Sequence, residues 1–407
     1  MLPSLLPVRS LLAAIFMLMA GGGVLSTLTS VRLEESGAGT LRIGLVATAY
    51  FAGLTVGSLH VHRIIAGVGH IRAFTAFVSL FSASTLAYAL HLDPLMWSAL
   101  RFIDGLCIAG VFICLESWLN ERAAPETRGL VLAGYMIALY SGQAAGQFLL
   151  GIGMAGSGFP FIVASILISL SAIPVALTRI TAPVVGVEEP LALRRLYDIS
   201  PLGIVGTTVT GIMMGAFYGL GAIYARRLGM DLAATATFMS AVILGGVALQ
   251  WPLGKLSDRF DRRIVIVFTF GAAALTSMLL AFLAAPDAKL LAAGALFGGL
   301  VFALYPLCVA HTNDHLRPDE RVAASGGLVL FYSAGAAAGP IVGGGAMTFA
   351  NNGLFLLLAT CAAGVLAFGI WRLRTSPPVP DADQQAYQTL PRTTPMAATL
   401  DPRGSEQ

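Results

Sequence analysis

The chain has 407 residues, of which 57% are hydrophobic and only 11% charged, with a formal net charge of +3. A soluble domain carries about 25% charged residues, so a globule surrounded by water is excluded. So small a positive surplus gives no footing for nucleic acid, and no such partner is expected.

In chain order, twelve apolar runs lie near 10–31, 43–61, 71–92, 94–119, 129–152, 157–178, 201–225, 232–253, 264–284, 288–311, 322–347 and 351–371. Each reaches across a bilayer core of roughly 30 Å. Backbone groups inside lipid must satisfy one another, so the runs are predicted to be helices. The alternating strands of a membrane barrel are absent from the sequence. The first run opens like a secretory signal, with Arg9 before an apolar stretch, but it continues through Gly21–Val31. That exceeds a signal core of about 7–15 residues, which predicts an uncleaved first helix. Sixteen arginines and lysines, from Arg9 to Arg374, fall on the N-terminus and alternate loops; the opposite loops hold five, Arg32, Arg42, Arg226, Arg227 and Lys289. The bias predicts that both termini are cytoplasmic. A bacterial inner membrane is the expected home and the lipid bilayer the obligate partner.

The stretch Asn120–Gly151 returns as Asn313–Gly344, 193 positions later, with Pro125, Arg128, Gly134, Gly142 and Gly146 matched by Pro318, Arg321, Gly327, Gly335 and Gly339. The predicted fold is therefore an all-α membrane protein with twelve transmembrane helices in two pseudo-symmetric halves. Residues 1–178 form the first half, 179–200 a cytoplasmic linker and 201–374 the second half; 375–407 is a polar, proline-rich tail expected to be disordered. Two similar halves of a membrane chain point to a transporter with its site between them.

Candidate site residues follow from the cost of polarity in lipid. Arg101 and Asp104 stand three apart on the fourth run, about two turns inside its outer end, and can pair. Their second-half counterpart for Arg101 is Gly294, so the charge is one-sided. Glu116 lies roughly 22 Å further along the same helix and is expected at a cytoplasmic gate, with Arg72 or Arg128 as partner. Tyr140, Gln143 and Gln147 form a polar stripe on the fifth run; Tyr218, Tyr224, Gln250, Tyr305 and Tyr332 are candidates to face the same cavity. A few placed polar groups in apolar walls suit a small or amphipathic substrate. Cys107, Cys114, Cys308 and Cys361 all fall within the runs and have no metal-ligand spacing. The spacing of His60 and His62 makes a metal site conceivable, but residues two apart on a helix diverge, so these two and His70 are read as loop histidines and no metal is expected. Gly151, Gly153 and Gly156 match a dinucleotide pattern by letter only, since no strand precedes them. No phosphate loop or nucleophile–base set occurs, so no cofactor is expected and the chain is not read as an enzyme.

Between the eighth and ninth runs stands Gly254-Lys255-Leu256-Ser257-Asp258-Arg259-Phe260-Asp261-Arg262-Arg263. Asp258 is expected to pair with the arginines and cap the next helix, a latch for one conformation. The segment resembles the signature loop of the major facilitator superfamily, departing only at Asp261, where that family prefers glycine. Its first-half copy, 62–72, is degenerate, with Ala66 in place of the aspartate. The eleventh run carries Gly326, Gly335, Gly339, Pro340, Gly343 and Gly344 at the spacing of the family's antiporter motif, a smooth face for helix packing. The family places that motif on its fifth helix, where this chain has Gln147 instead of proline. Arg101 and Gly105 match the family's Arg-x-x-x-Gly pattern, linked there to proton coupling or substrate binding. Glu116-Ser117 with Arg128-Gly129, Phe217–Leu220 and Gln250–Gly254 are similar to the YcaD-like bacterial branch. The resemblance implies alternating access between two six-helix halves of a chain that works as a monomer. Within that cycle Asp104 is expected to exchange a coupling proton, with the neighbouring Arg101 tuning its affinity. Export by antiport is the favoured mode. Uptake of a small organic anion by proton coupling or facilitation, or a non-transporting sensor, are the alternatives.

Overall fold

The computed structural model describes residues 5–123, 127–152, 158–178, 192–283, 285–317, 320–380, 384, 386–389, 391–394 and 396. Twelve long helices account for most of them: α1 Leu6–Glu35, bent near Gly23, α2 Thr40–Val68, α3 His70–Ala87, α4 Pro94–Arg122, α5 Arg128–Gln147 and α6 Phe159–Ala176. The second half repeats the series as α7 Pro201–Arg227, α8 Leu232–Ser257, α9 Arg262–Phe282, α10 Ala288–Asn313, α11 Arg321–Phe349 and α12 Gly353–Thr375. Among the described residues there is no strand, and ten of the twelve, all but α3 and α5, are long and apolar enough to cross a membrane. The linker's described part is a short helix, Leu193–Ile199, tied to the start of α11 by an Arg195–Glu320 ion pair.

Helix starts are written locally. Asp93, Asp231 and Asp287 accept from the backbone N–H of Met96, Ala234 and Leu290 at 2.7, 2.7 and 3.1 Å, capping α4, α8 and α10. Asp261, and not Asp258 as expected, caps α9: its carboxylate accepts from the Arg263 N–H at 3.0 Å. The aspartate that departs from the family loop therefore has a structural task. Helix α2 runs seven residues past the predicted end at 61, so His60 and His62 ride on a helix and not in a loop.

The internal repeat is reproduced as packing. Gly142 and Gly146 of α5 leave room for the carbonyls of Phe16 and Ala20 on α1, where an added Cβ would lie 2.4 and 2.3 Å from the oxygens. Gly335 and Gly339 of α11 do the same for Thr208 and Ile212 on α7, at 2.1 and 2.3 Å. A second pair of helices repeats likewise: Gly53 and Gly105 join α2 to α4, and Gly245 and Gly298 join α8 to α10. Missing side chains thus permit backbone-to-backbone contact within each half.

The two halves meet toward the arginine-poor end. Ser30 donates to the Gly219 carbonyl (2.7 Å), Thr40 to Gly344 (2.9 Å), Thr48 to Ala337 (2.8 Å) and Ser240 to Ala144 (2.8 Å). Arg227 stands 3.9 Å from Glu34 at the same end. Gly344 and Pro340 bring α11 against Thr40 and Gly44 of α2. Toward the arginine-rich end, residues of the C-terminal tail lie between the halves.

Candidate functional site

A cavity of about 110 Å³ remains between the halves, walled by Tyr50, Arg101, Tyr140, Gln143, Tyr218 and Tyr332 among others, and floored by Pro391, Arg392 and Thr393 of the tail. Arg101 reaches it from α4. Its Nη1 lies 3.6 Å from Asp104 Oδ2, its Nη2 donates to Ser26 Oγ at 2.5 Å, and its guanidinium sits 4.4 Å from the Tyr50 ring centre. The expected pair is therefore made, and both members are buried.

Asp104 stands one layer behind the cavity wall. Its oxygens accept from Ser84 Oγ at 2.7 Å and Tyr88 OH at 2.6 Å, both of α3 or its end. Two hydroxyl donors and a guanidinium fit an ionised carboxylate, because every contact offers it a proton. The polar stripe of α5 divides. Tyr140 and Gln143 face the cavity, whereas Gln147 accepts from Thr27 at 2.7 Å and donates to the Gly23 carbonyl at 3.2 Å, bonding α5 to the bend in α1. Tyr218 donates to Gln143 Oε1 at 3.4 Å. Tyr305 packs edge-on behind Tyr332 at 5.2 Å. Gln250 is buried, and Tyr224 turns away to donate to the Leu280 carbonyl.

Glu116 is fully buried and accepts from Tyr135 OH at 2.7 Å and from the hydroxyls of Thr393 and Thr394. Arg72, one expected partner, is exposed at the start of α3; Arg128 opens α5 and is half-buried. At the start of α9, Arg262 bridges Asp258 of the α8–α9 loop (3.1 Å) and Asp314 at the end of α10 (2.5 Å), and Arg263 pairs with Asp261 at 2.6 Å. Arg259 is exposed. Gly254 lies against the Tyr387 ring, where a Cβ would come within 2.1 Å, and Asp258 accepts from the Tyr387 N–H at 2.7 Å.

Sequence reasoning missed Ser26, Tyr50, Ser84, Tyr88 and Tyr135, because ordinary hydroxyl residues in apolar runs carry no signal of which charge they meet. It also missed Arg392, a single basic residue in a tail read as disordered.

The sequence model described as Major Facilitator Superfamily matches residues 11–204 and again 202–398. The chain belongs to the major facilitator superfamily. It is 28% identical over 359 residues to the uncharacterized MFS-type transporter YcaD of Salmonella enteritidis PT4 (strain P125109), spanning 87% of this chain and 92% of that one. It is 30% identical over 366 residues to an uncharacterized MFS-type transporter of Yersinia pestis (strain Pestoides F), spanning 88% and 93%. The fold matches the crystal structure of the nucleoside transporter NupG with a TM-score of 0.72 at 14% identity, covering 90% of this chain and 99% of that one. As a superfamily member with this fold, the protein is a secondary transporter built from multiple membrane-spanning helices. The duplicated match follows the repeat found in the sequence and in the glycine contacts.

Proposed function

We propose that the protein is a secondary active transporter of a small or amphipathic organic solute, working by alternating access and exporting it in exchange for protons. It works as a monomer in a bacterial inner membrane, with both termini cytoplasmic, a proton as coupling ion and no cofactor. The observation that carries this reading is the position of Arg101, which touches the cavity on one side and Asp104 on the other. Protonating Asp104 removes the charge that holds Arg101 and frees the guanidinium toward the cavity. A substrate that competes for the same space biases the same equilibrium, which is reciprocal coupling between two sites. The inter-half contacts leave the arginine-rich side as the opening, which is the cytoplasmic side under the charge rule.

The test is proton release from purified protein on adding amphipathic drugs and small organic acids, comparing wild type with Asp104→Asn. Release in wild type alone supports antiport through Asp104. Equal transport against a gradient by the variant sinks it. A second reading, uptake of an organic anion held by Arg101, is favoured by that guanidinium lining the cavity; an organic acid that drives proton uptake would select it.

A further inference from the structure

The cavity already holds a ligand-like group. Arg392 of the tail places its guanidinium carbon 4.5 Å from the ring centre of Phe302, 5.8 Å from those of Tyr140 and Tyr332, and 6.0 Å from that of Tyr218. Its Nη2 donates to Tyr218 OH at 3.3 Å. Four ring faces from α5, α7, α10 and α11, drawn from both halves, surround one cation. Aromatic cages of this kind recognise organic cations, because the negative face of each ring meets the positive charge. The remaining charges agree. Arg101 is offset by Asp104, while the carboxylate of Glu116 stands beside the neighbouring Thr393 and Thr394. Backbone and aromatic contacts anchor the segment nearer the mouth, where Tyr387 binds Asp258 and fills the space over Gly254.

We infer that the central cavity is a site for a compact organic cation of the guanidinium or alkylammonium class, and that Arg392 is its intramolecular occupant in this conformation. The inference rests on the cavity being the transport site. A tethered occupant acts at an effective concentration of about millimolar for a short flexible link. A free cation must therefore displace the tail before it binds, and the halves cannot close at the arginine-rich end while the tail lies between them. The tail thus screens out weak ligands and releases the transporter only to a cation that fits the cage better than Arg392.

The experiment uses the full-length protein in detergent and radiolabelled benzylguanidinium, with benzoate as the anionic control. Arg392→Ala should bind benzylguanidinium at least tenfold more tightly than wild type, with Arg392→Lys between them and benzoate bound by none. Adding Phe302→Leu to Arg392→Ala should lose at least tenfold of that affinity. In a Thr393→Cys variant, benzylguanidinium should raise maleimide labelling of the new thiol several-fold. Equal benzylguanidinium affinity in wild type and Arg392→Ala, or full labelling before ligand is added, overturns the tail as occupant. Binding of benzoate in place of benzylguanidinium overturns the cation class, while proton release that still depends on Asp104 would leave the antiporter standing. Conversely, tight benzylguanidinium binding without any Asp104-dependent release keeps this site and removes the antiport reading.

Discussion

At the scale of single residues, the Arg101–Asp104 pair illustrates how burial makes a charge dependent on its neighbours. Both side chains are almost wholly enclosed, at 2% and 0% exposure. Removing one member of such a pair strands the other and costs about 3–5 kcal/mol. Arg101→Ala and Asp104→Ala should therefore each lower the melting temperature in detergent, and the double variant should recover part of the loss, since it strands nothing. Purely additive losses would show that the two charges do not depend on each other. The pair was legible from its three-residue spacing on an apolar helix. Its hydroxyl shell was not, because Ser84 and Tyr88 come from another helix and their meeting with Asp104 is set by tertiary packing. Gln147 shows the converse: helical spacing put it on the stripe with Gln143, yet the bend of α1 at Gly23 offers it a carbonyl and draws it out of the cavity.

At the scale of elements, glycines and caps decide how helices begin and how close they come. Gly339→Ala would place a methyl 2.3 Å from the Ile212 carbonyl, so α7 and α11 must separate, at a cost of about 1–3 kcal/mol. Gly345, on the same helix, has nothing within 4 Å of its absent Cβ; there Gly345→Ala should stabilise by roughly 0.5–1 kcal/mol through reduced chain entropy. Thermal melts of the two variants should move in opposite directions. The Asp261 cap adds a pH signature. Partial burial pushes its carboxyl up, but the Arg263 hydrogen bonds and charge outweigh that and hold it below the usual carboxylate range. A carboxyl lowered in the folded state contributes stability above its unfolded value, about 3.9, and loses it as pH falls through the folded one. Asp261→Asn should therefore melt below wild type at neutral pH, with the gap closing in acid below the ordinary carboxylate range. The signature loop was readable in the sequence, but the choice of Asp261 over Asp258 as cap was not, since both precede Arg262 and only the turn geometry separates them.

At the scale of the whole molecule, the fold was legible because apolar runs recur along the chain, ten of the twelve helices being long and apolar enough to cross a membrane, and because the repeat divides them evenly. What the sequence leaves unstated is where the halves touch. Thr48 and Ala337 meet across the interface at 2.8 Å. Cysteines at both positions, joined by a short bis-maleimide, should hold the arginine-poor end shut and abolish transport, while leaving ligand binding from the other side intact. Transport that survives complete cross-linking would exclude a cycle in which these two helices part.

The duplicated glycine contacts have a further consequence for motion inside each half. Helices joined backbone to backbone have no layer of side chains between them to yield, and close-packed interiors transmit displacement instead of absorbing it. The pairs α1–α5, α2–α4, α7–α11 and α8–α10 should therefore exchange their amide hydrogens as cooperative blocks, with protection failing together across both members of a pair. Faster exchange is expected at the bend near Gly23 and at the loops beside Gly69 and Gly229, where the backbone takes positive φ values of 86° and 85° in turns.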